Sequence, residues 1–128
     1  MLISMCMAKI HRAKVTQAHL DYPGSITIDQ DILEACGMRP RQYVNITNCS
    51  NAVFWRTYIM AGKRGNGDIC LNGPPARIFQ VGDEVMILAE AWVTPEEASV
   101  LKTKIVWVDG KNKVTKTLED ESELHPLS

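Results

Sequence analysis

Within Tyr22-Pro23-Gly24-Ser25-Ile26-Thr27-Ile28, a serine follows the residue least able to shield a carbonyl. At a turn entering a strand, a Gly-Ser pair is ordinary. Where the backbone is held under strain, however, the serine hydroxyl can attack the glycine carbonyl behind it, because glycine has no side chain in the way. The product is an ester. If a base then removes the serine α-proton, the ester eliminates, and the resulting dehydroalanine hydrolyses to a pyruvoyl group at a new N-terminus. Such a ketone can form a Schiff base with an amine and accept the electrons released as carbon dioxide leaves.

Other pairs are ambiguous by themselves. Lys9 and His11 stand two apart, so on a strand they share a face, which is as well suited to solvent as to a ligand. Thr57-Tyr58 suits any β-strand, and Asn72-Gly73 suits a tight turn that can also carry a function. The four cysteines, Cys6, Cys36, Cys49 and Cys70, include no Cys-x-x-Cys pair. Neither a zinc site nor a thioredoxin-like motif is expected, no metal is assigned, and the thiols are read as reduced and mostly buried.

The elements that must position these residues are mainly strands. Runs rich in β-branched residues span Lys9 to Thr16, Ser25 to Ile28, Tyr43 to Asn48, Val53 to Met60, Asp83 to Trp92 and Thr103 to Val108. Turn chemistry punctuates them at Pro23-Gly24, Gly65-Asn66-Gly67-Asp68, Gly82-Asp83 and Asp109-Gly110. Two short helices are predicted. One is capped by Asp29 and stopped by Gly37; the other opens at Thr94-Pro95-Glu96-Glu97, which has a capping threonine, a proline in the first turn and a glutamate three residues after the cap. Neither helix is long enough to organise the fold, so a closed or nearly closed β-barrel with helical connections is the expected architecture.

With 128 residues, the chain supports one domain, read as 1–117, followed by an acidic, flexible tail at 118–128. Apolar residues make up 45% and charged residues 23%, the balance of a globular protein. The net charge of -1, with basic residues spread along the chain, argues against a nucleic-acid partner. No stretch approaches the roughly 20 apolar residues of a membrane helix. Met1 to Ala8 lacks a basic residue ahead of it and is interrupted by Lys9, His11 and Arg12, so it is read as a first strand in a cytoplasmic protein rather than a signal peptide.

Four separated stretches then combine. Lys9-Ile10-His11-Arg12-Ala13-Lys14-Val15-Thr16, Tyr22 to Asp29, Thr57-Tyr58 and Asn72-Gly73 resemble bacterial aspartate 1-decarboxylase in order and spacing, over Met1 to about Val108. That resemblance implies a double-psi β-barrel, cleavage between Gly24 and Ser25, and a covalent pyruvoyl cofactor derived from Ser25. It also implies conversion of L-aspartate to β-alanine for pantothenate synthesis, a homotetramer with active sites between subunits and, in some relatives, a maturation helper protein. Residue by residue, Thr57 would assist cleavage near the Gly24 carbonyl and Tyr58 would donate the proton that quenches the carbanion. Lys9 would help clamp a substrate carboxylate, while His11, Tyr22, Asn72 and Gly73 would line the pocket or hold the cofactor.

Two positions depart from the family pattern. The carboxylate-gripping arginine of the family stands four residues before the tyrosine, and here that position is Phe54. Arg56 shares the strand face of Tyr58 but is displaced from position 54 by roughly 6.6 to 7 Å along the strand. An unreplaced hydrogen bond to a charged group contributes about 1.5 to 3 kcal/mol, or roughly 10- to 150-fold in transition-state binding. A less acidic amino acid meeting Phe54 is therefore a second reading of the substrate. Pro74-Pro75 stand where the family has small alanines, and the loss of two amide donors is expected to reshape any pocket that uses them. A third reading is an uncut barrel acting as a binding module.

Overall fold

The computed structural model describes residues 1–120. Alternation of apolar and polar residues sets the strands. In β4 (Tyr43–Asn48), Val44, Ile46 and Asn48 are buried while the residues between them are not. The remaining strands are β1 (Ile3–Lys14), β2 (Gln17–His19), β3 (Ser25–Asp29), β5 (Phe54–Gly62), β6 (Ile69–Asn72), β7 (Glu84–Val93), β8 (Lys104–Val108) and β9 (Val114–Leu118). They form one connected sheet in the order β2-β6-β3-β5-β4-β7-β1-β8-β9. The architecture is thus mainly β, in keeping with a double-psi β-barrel with short connecting helices. Three pairings, β1 with β8, β2 with β6 and β3 with β5, are parallel between strands distant in sequence.

Its interior is filled by aliphatic side chains from most of the strands, including Ile10, Ile26, Ile46, Ile59, Leu71 and Ile87, each without exposed surface. Full burial of such a side chain contributes about 1.5 to 3 kcal/mol, which makes the barrel the dominant source of stability. Ala8, Ala89, Val44 and Thr57 are successive cross-strand partners over β1, β7, β4 and β5, and all four are buried. Lys9, Leu88, Asn45 and Arg56 form the neighbouring row, whose side chains point to the opposite face.

Both helices begin as their sequences predict, and the first also ends so. Asp29 accepts from the Asp31 amide at 2.8 Å and caps α1 (Gln30–Cys36), while Gly37 ends it with a φ of 75°. Thr94 and Glu97 exchange both hydrogen bonds of a capping box at α2 (Pro95–Val100). The strand boundaries differ more. The predicted run at Lys9 to Thr16 and the N-terminal segment form one strand, β1, and Thr16 lies beyond it. Three strands, β2, β6 and β9, were not expected, and β9 ends at Leu118, where the acidic tail was placed. Residues 121–128 of that tail lie outside the described part.

Asp29 does more than cap a helix. Its carboxylate also accepts from the Gly65 amide at 3.1 Å and the Gly67 amide at 2.6 Å, fastening the loop between β5 and β6. Burial pushes its carboxyl up, but the Gly67, Asp31 and Gly65 amides and the charge of Lys113 outweigh that and leave it below the ordinary carboxylate range. The sign follows directly. Stability from Asp29 is fully present above its unfolded pKa of about 3.9 and is lost as pH falls through the lower folded value. Asp29→Asn places an amide NH₂ against a backbone donor, so it is expected to cost about 1 to 3 kcal/mol near neutrality and to flatten the acid-side decline. Urea midpoints of the two proteins at about pH 7 and about pH 3 test this, since the gap must narrow on acidification.

The thiols follow burial only in part. Cys36 and Cys70 are buried, and burial pushes the Cys36 thiol up to about 11. Cys49 is exposed and Cys6 half-buried, so the expectation of mostly buried cysteines holds for two of four; none of the four forms a disulfide among the described residues. Among the described residues, no helix is long and apolar enough to cross a membrane, and no cluster of His, Cys, Asp and Glu is arranged to hold a metal ion.

Candidate active site

Ser25 opens β3 directly across from Asn72 at the end of β6. Each of these residues is only 5% exposed. The Asn72 side-chain amide donates to the Ser25 hydroxyl at 3.1 Å and to the Thr27 hydroxyl at 3.0 Å. Both amide hydrogens are therefore used on oxygens of one strand, and the Ser25 O–H keeps its own proton free to donate.

The turn that carries Gly24 is backed by a second close approach. Gly73 has φ 81° and ψ -145°, a conformation that side chains rarely tolerate. A Cβ there would lie 2.8 Å from Gly24 Cα, 2.8 Å from the Tyr22 carbonyl oxygen and 2.9 Å from Gly24 N. Backbone thus packs on backbone at the Gly24-Ser25 junction. The Gly73 amide donates to the His19 carbonyl at 2.7 Å, and the His19 and Tyr22 rings stack at 4.7 Å, holding the turn from the other end.

The prolines act differently from the expectation drawn for them. Pro74 and Pro75 open a 3₁₀ turn (Pro74–Arg77), where the first amides have no partner within the turn in any case. The Ala76 amide returns to the Gly73 carbonyl at 3.0 Å. Pro74 Cδ lies 3.7 Å from the position of a Cβ on Gly24, and neither proline lines the cleft in front of Ser25. Their effect is to brace the turn from behind.

That cleft has a volume of about 350 Å³ and is lined by Tyr22, Pro23, Ser25, Thr27, Tyr58, Met60, Ala61 and Asn72. Of the residues singled out in the sequence, Tyr22, Ser25, Tyr58 and Asn72 meet here, with Gly24 and Gly73 adjoining them. Thr57 is on the interior face of β5, outside the lining, and makes no hydrogen bond to Gly24 or Ser25 among the described residues. Thr27 and Met60 were missed. Each stands two residues beyond a recognised one, after Ser25 and after Tyr58, so strand alternation was the signal that could have found them.

Lys9, His11 and Arg56 are not brought to this cleft within the chain. Lys9 and Arg56 end one cross-strand row on the outer face, three strand spacings or about 14 Å apart. His11 packs beside Trp107 with ring centroids 5.9 Å apart. Burial, then the charges of Arg12 and Lys9, hold its imidazole below the usual range against the opposing pull of Glu84. Arg56 reaches Glu90 at 3.3 Å and Asn45 at 3.4 Å and lies over the Tyr43 ring at 5.2 Å. These are long contacts on an exposed side chain and contribute little. Phe54 is 56% exposed on the same outer face as Arg56 and does not line the cleft within the chain.

A protein-family model described as aspartate decarboxylase matches residues 1–115. The chain belongs to the aspartate decarboxylase family. Among its relatives are proteins named aspartate 1-decarboxylase from Ruminiclostridium cellulolyticum, 50% identical over 91% of each chain, and from Caldicellulosiruptor saccharolyticus, 47% identical over 94% of each. A third, from Lactiplantibacillus plantarum, is 48% identical over 94% of this chain and 93% of its own. Membership in this family covers the barrel, the Gly24-Ser25 turn and the cleft together, and it counts against the uncut binding module.

Proposed function

We propose that this protein is a carboxy-lyase that converts L-aspartate to β-alanine and carbon dioxide, after cutting its own backbone between Gly24 and Ser25. The observation that carries the reading is the buried Ser25 hydroxyl, held by Asn72 beside a turn braced by Gly73 and opening onto a cleft with Tyr58. In the cut, Ser25 Oγ bonds to the Gly24 carbonyl carbon, the bond from that carbon to Ser25 N breaks, and the hydroxyl proton passes to the departing nitrogen. Removal of the Ser25 α-proton then expels the Gly24 carboxylate from Cβ, and water replaces the nitrogen as ammonia. Thr57, on β5 directly beyond the partner row of β3, assists at the Gly24 carbonyl.

The residues present suit a pyruvoyl group at position 25. Asn72 brings side-chain N–H donors beside residue 25, where a ketone oxygen taken up from water would find a partner, and the cleft admits a small amino acid. When formed, the group supplies a ketone that condenses with the substrate amine and takes up the electron pair released with carbon dioxide. Around it, Tyr22 and Met60 limit the cleft, and Tyr58 holds the proton on Oη that is given to the substrate α-carbon.

A homotetramer with active sites between subunits completes the site. What supports it is the cleft lining, which holds no basic side chain, while Lys9 and His11 project from the far end of the same sheet. Tyr43, Phe54 and Trp92 are more than half exposed on the protein's surface. Lys9 and His11 of a neighbouring copy then meet the substrate carboxylates, with Arg56 turned from its long contact to Glu90 as a further cation.

Incubation of the purified protein with L-aspartate tests the activity, with β-alanine and carbon dioxide formed in equal amounts; formation of a different amine from another amino acid, and none from aspartate, overturns the substrate assignment. Tyr58→Phe is expected to leave the chain cut at Gly24-Ser25 but to slow turnover by about 10²- to 10⁴-fold, the usual contribution of a positioned proton donor. Steady-state rates on the cut variant check this.

A further inference from the structure

We propose that Thr27 is a positioning residue for the self-cleavage: its hydroxyl holds the Asn72 side-chain amide so that an N–H stays on Ser25 Oγ. The inference rests on the reading that Ser25 attacks Gly24. Asn72 faces β3, and its single amide nitrogen contacts Ser25 Oγ at 3.1 Å and Thr27 Oγ1 at 3.0 Å. The final torsion of an asparagine side chain is soft, so the contacts of the amide decide its direction. Here one hydroxyl two residues along the strand fixes the amide that serves the other.

The consequence lies in the chemistry at Ser25. As the Ser25 hydroxyl gives up its proton in the attack, negative charge develops on Oγ before the new bond to the Gly24 carbon draws it on to the carbonyl oxygen. An N–H already aimed at Oγ meets developing charge without reorganisation. Without the Thr27 hydroxyl, the second amide N–H faces a methyl group in a buried site, an arrangement the amide escapes by turning. The Ser25 oxygen then loses its donor.

A purely structural role for Thr27 predicts something different. Its methyl already packs at Gly62, where a Cβ would lie 3.1 Å from Thr27 Cγ2, and valine keeps that methyl and the β-branched shape. Thr27→Val therefore removes the hydroxyl while sparing the packing.

Pulse-labelled protein followed by denaturing mass spectrometry gives the rate of backbone cleavage directly. Thr27→Val is expected to cut about 2- to 10-fold more slowly than the parent, the worth of one neutral hydrogen bond, and Thr27→Ser to restore the parental rate. In an Asn72→Ala background there is no amide to hold, so adding Thr27→Val should slow cleavage no further, whereas a loosened barrel would slow both backgrounds equally. Equal slowing in the two backgrounds, or Thr27→Val cutting as fast as a parent that does cut, overturns the assignment of Thr27 alone. A parent that stays whole overturns the self-cleavage and this role with it.

Discussion

Ser25→Ala leaves one uncut chain of 128 residues, with no carbonyl able to react with hydrazine and no carbon dioxide released from aspartate above background. The loss is complete because one residue performs both tasks: its hydroxyl is the nucleophile that breaks the backbone and then the leaving oxygen, and its Cα becomes the ketone carbon. The fold is expected to survive. Ser25 sits at the first position of β3, and the barrel interior is filled by aliphatic residues that the change does not touch. Its structural cost is an Asn72 N–H left without its acceptor in a buried site, about 1 to 3 kcal/mol. Thermal melting beside the mass spectrum separates the two effects, for an inactive variant that melts near the parent has lost chemistry and not structure.

Gly73→Ala carries the second large effect, and it acts without touching a reacting atom. The new methyl would sit 2.8 to 2.9 Å from backbone atoms of Tyr22 and Gly24, so the turn has to move away from it. A φ of 81° adds about 1 to 3 kcal/mol of strain for any residue with a side chain. A misplacement of about 1 Å can cost roughly 100-fold in a reaction that depends on alignment, and cleavage should slow by at least about that factor. Gly82→Ala provides the control. Gly82 has a φ of 93° with nothing within 4 Å of a Cβ, so it bears similar strain far from the turn. It should lose stability and still cut. Equal cleavage rates in the two variants would show that Gly73 is not the backing of the turn.

Much of the fold is legible where local chemistry dictates it. Asp29, Gly37 and the Thr94 to Glu97 box act within a few residues of themselves, so their helices can be read without knowing the partners. Strands with alternating patterns, such as Tyr43–Asn48, are equally plain. The elements that escape lack such a pattern. All four residues of β6 are buried, with no alternation to reveal a strand; β2 has only three residues; and β9 is polar and mostly exposed, drawn into the sheet by its pairing with β8 after the Asp109-Gly110 turn.

The site divides along the same line. Gly24-Ser25 announces its chemistry through residue type, and Thr27 could have been found by counting two along the strand. The Asn72 bridge needs the register that sets β3 against β6, and the distance of Lys9 from the cleft needs the order of four strands. Those are long-range pairings, which composition and periodicity do not encode. Phe54 and Pro74-Pro75 teach the same lesson. Read in the sequence they stand beside the pocket, but in three dimensions Phe54 lies outside the cleft of the single chain, on the face that carries Arg56, and Pro74 packs behind the turn at Gly24.

Denaturing mass spectrometry of the protein purified from cells, with and without phenylhydrazine, tests the central claim most directly. The account predicts two polypeptides, one of residues 1–24 and one beginning at position 25, with the hydrazone mass appearing on the second alone. A single intact chain that gains no mass from the reagent would contradict it.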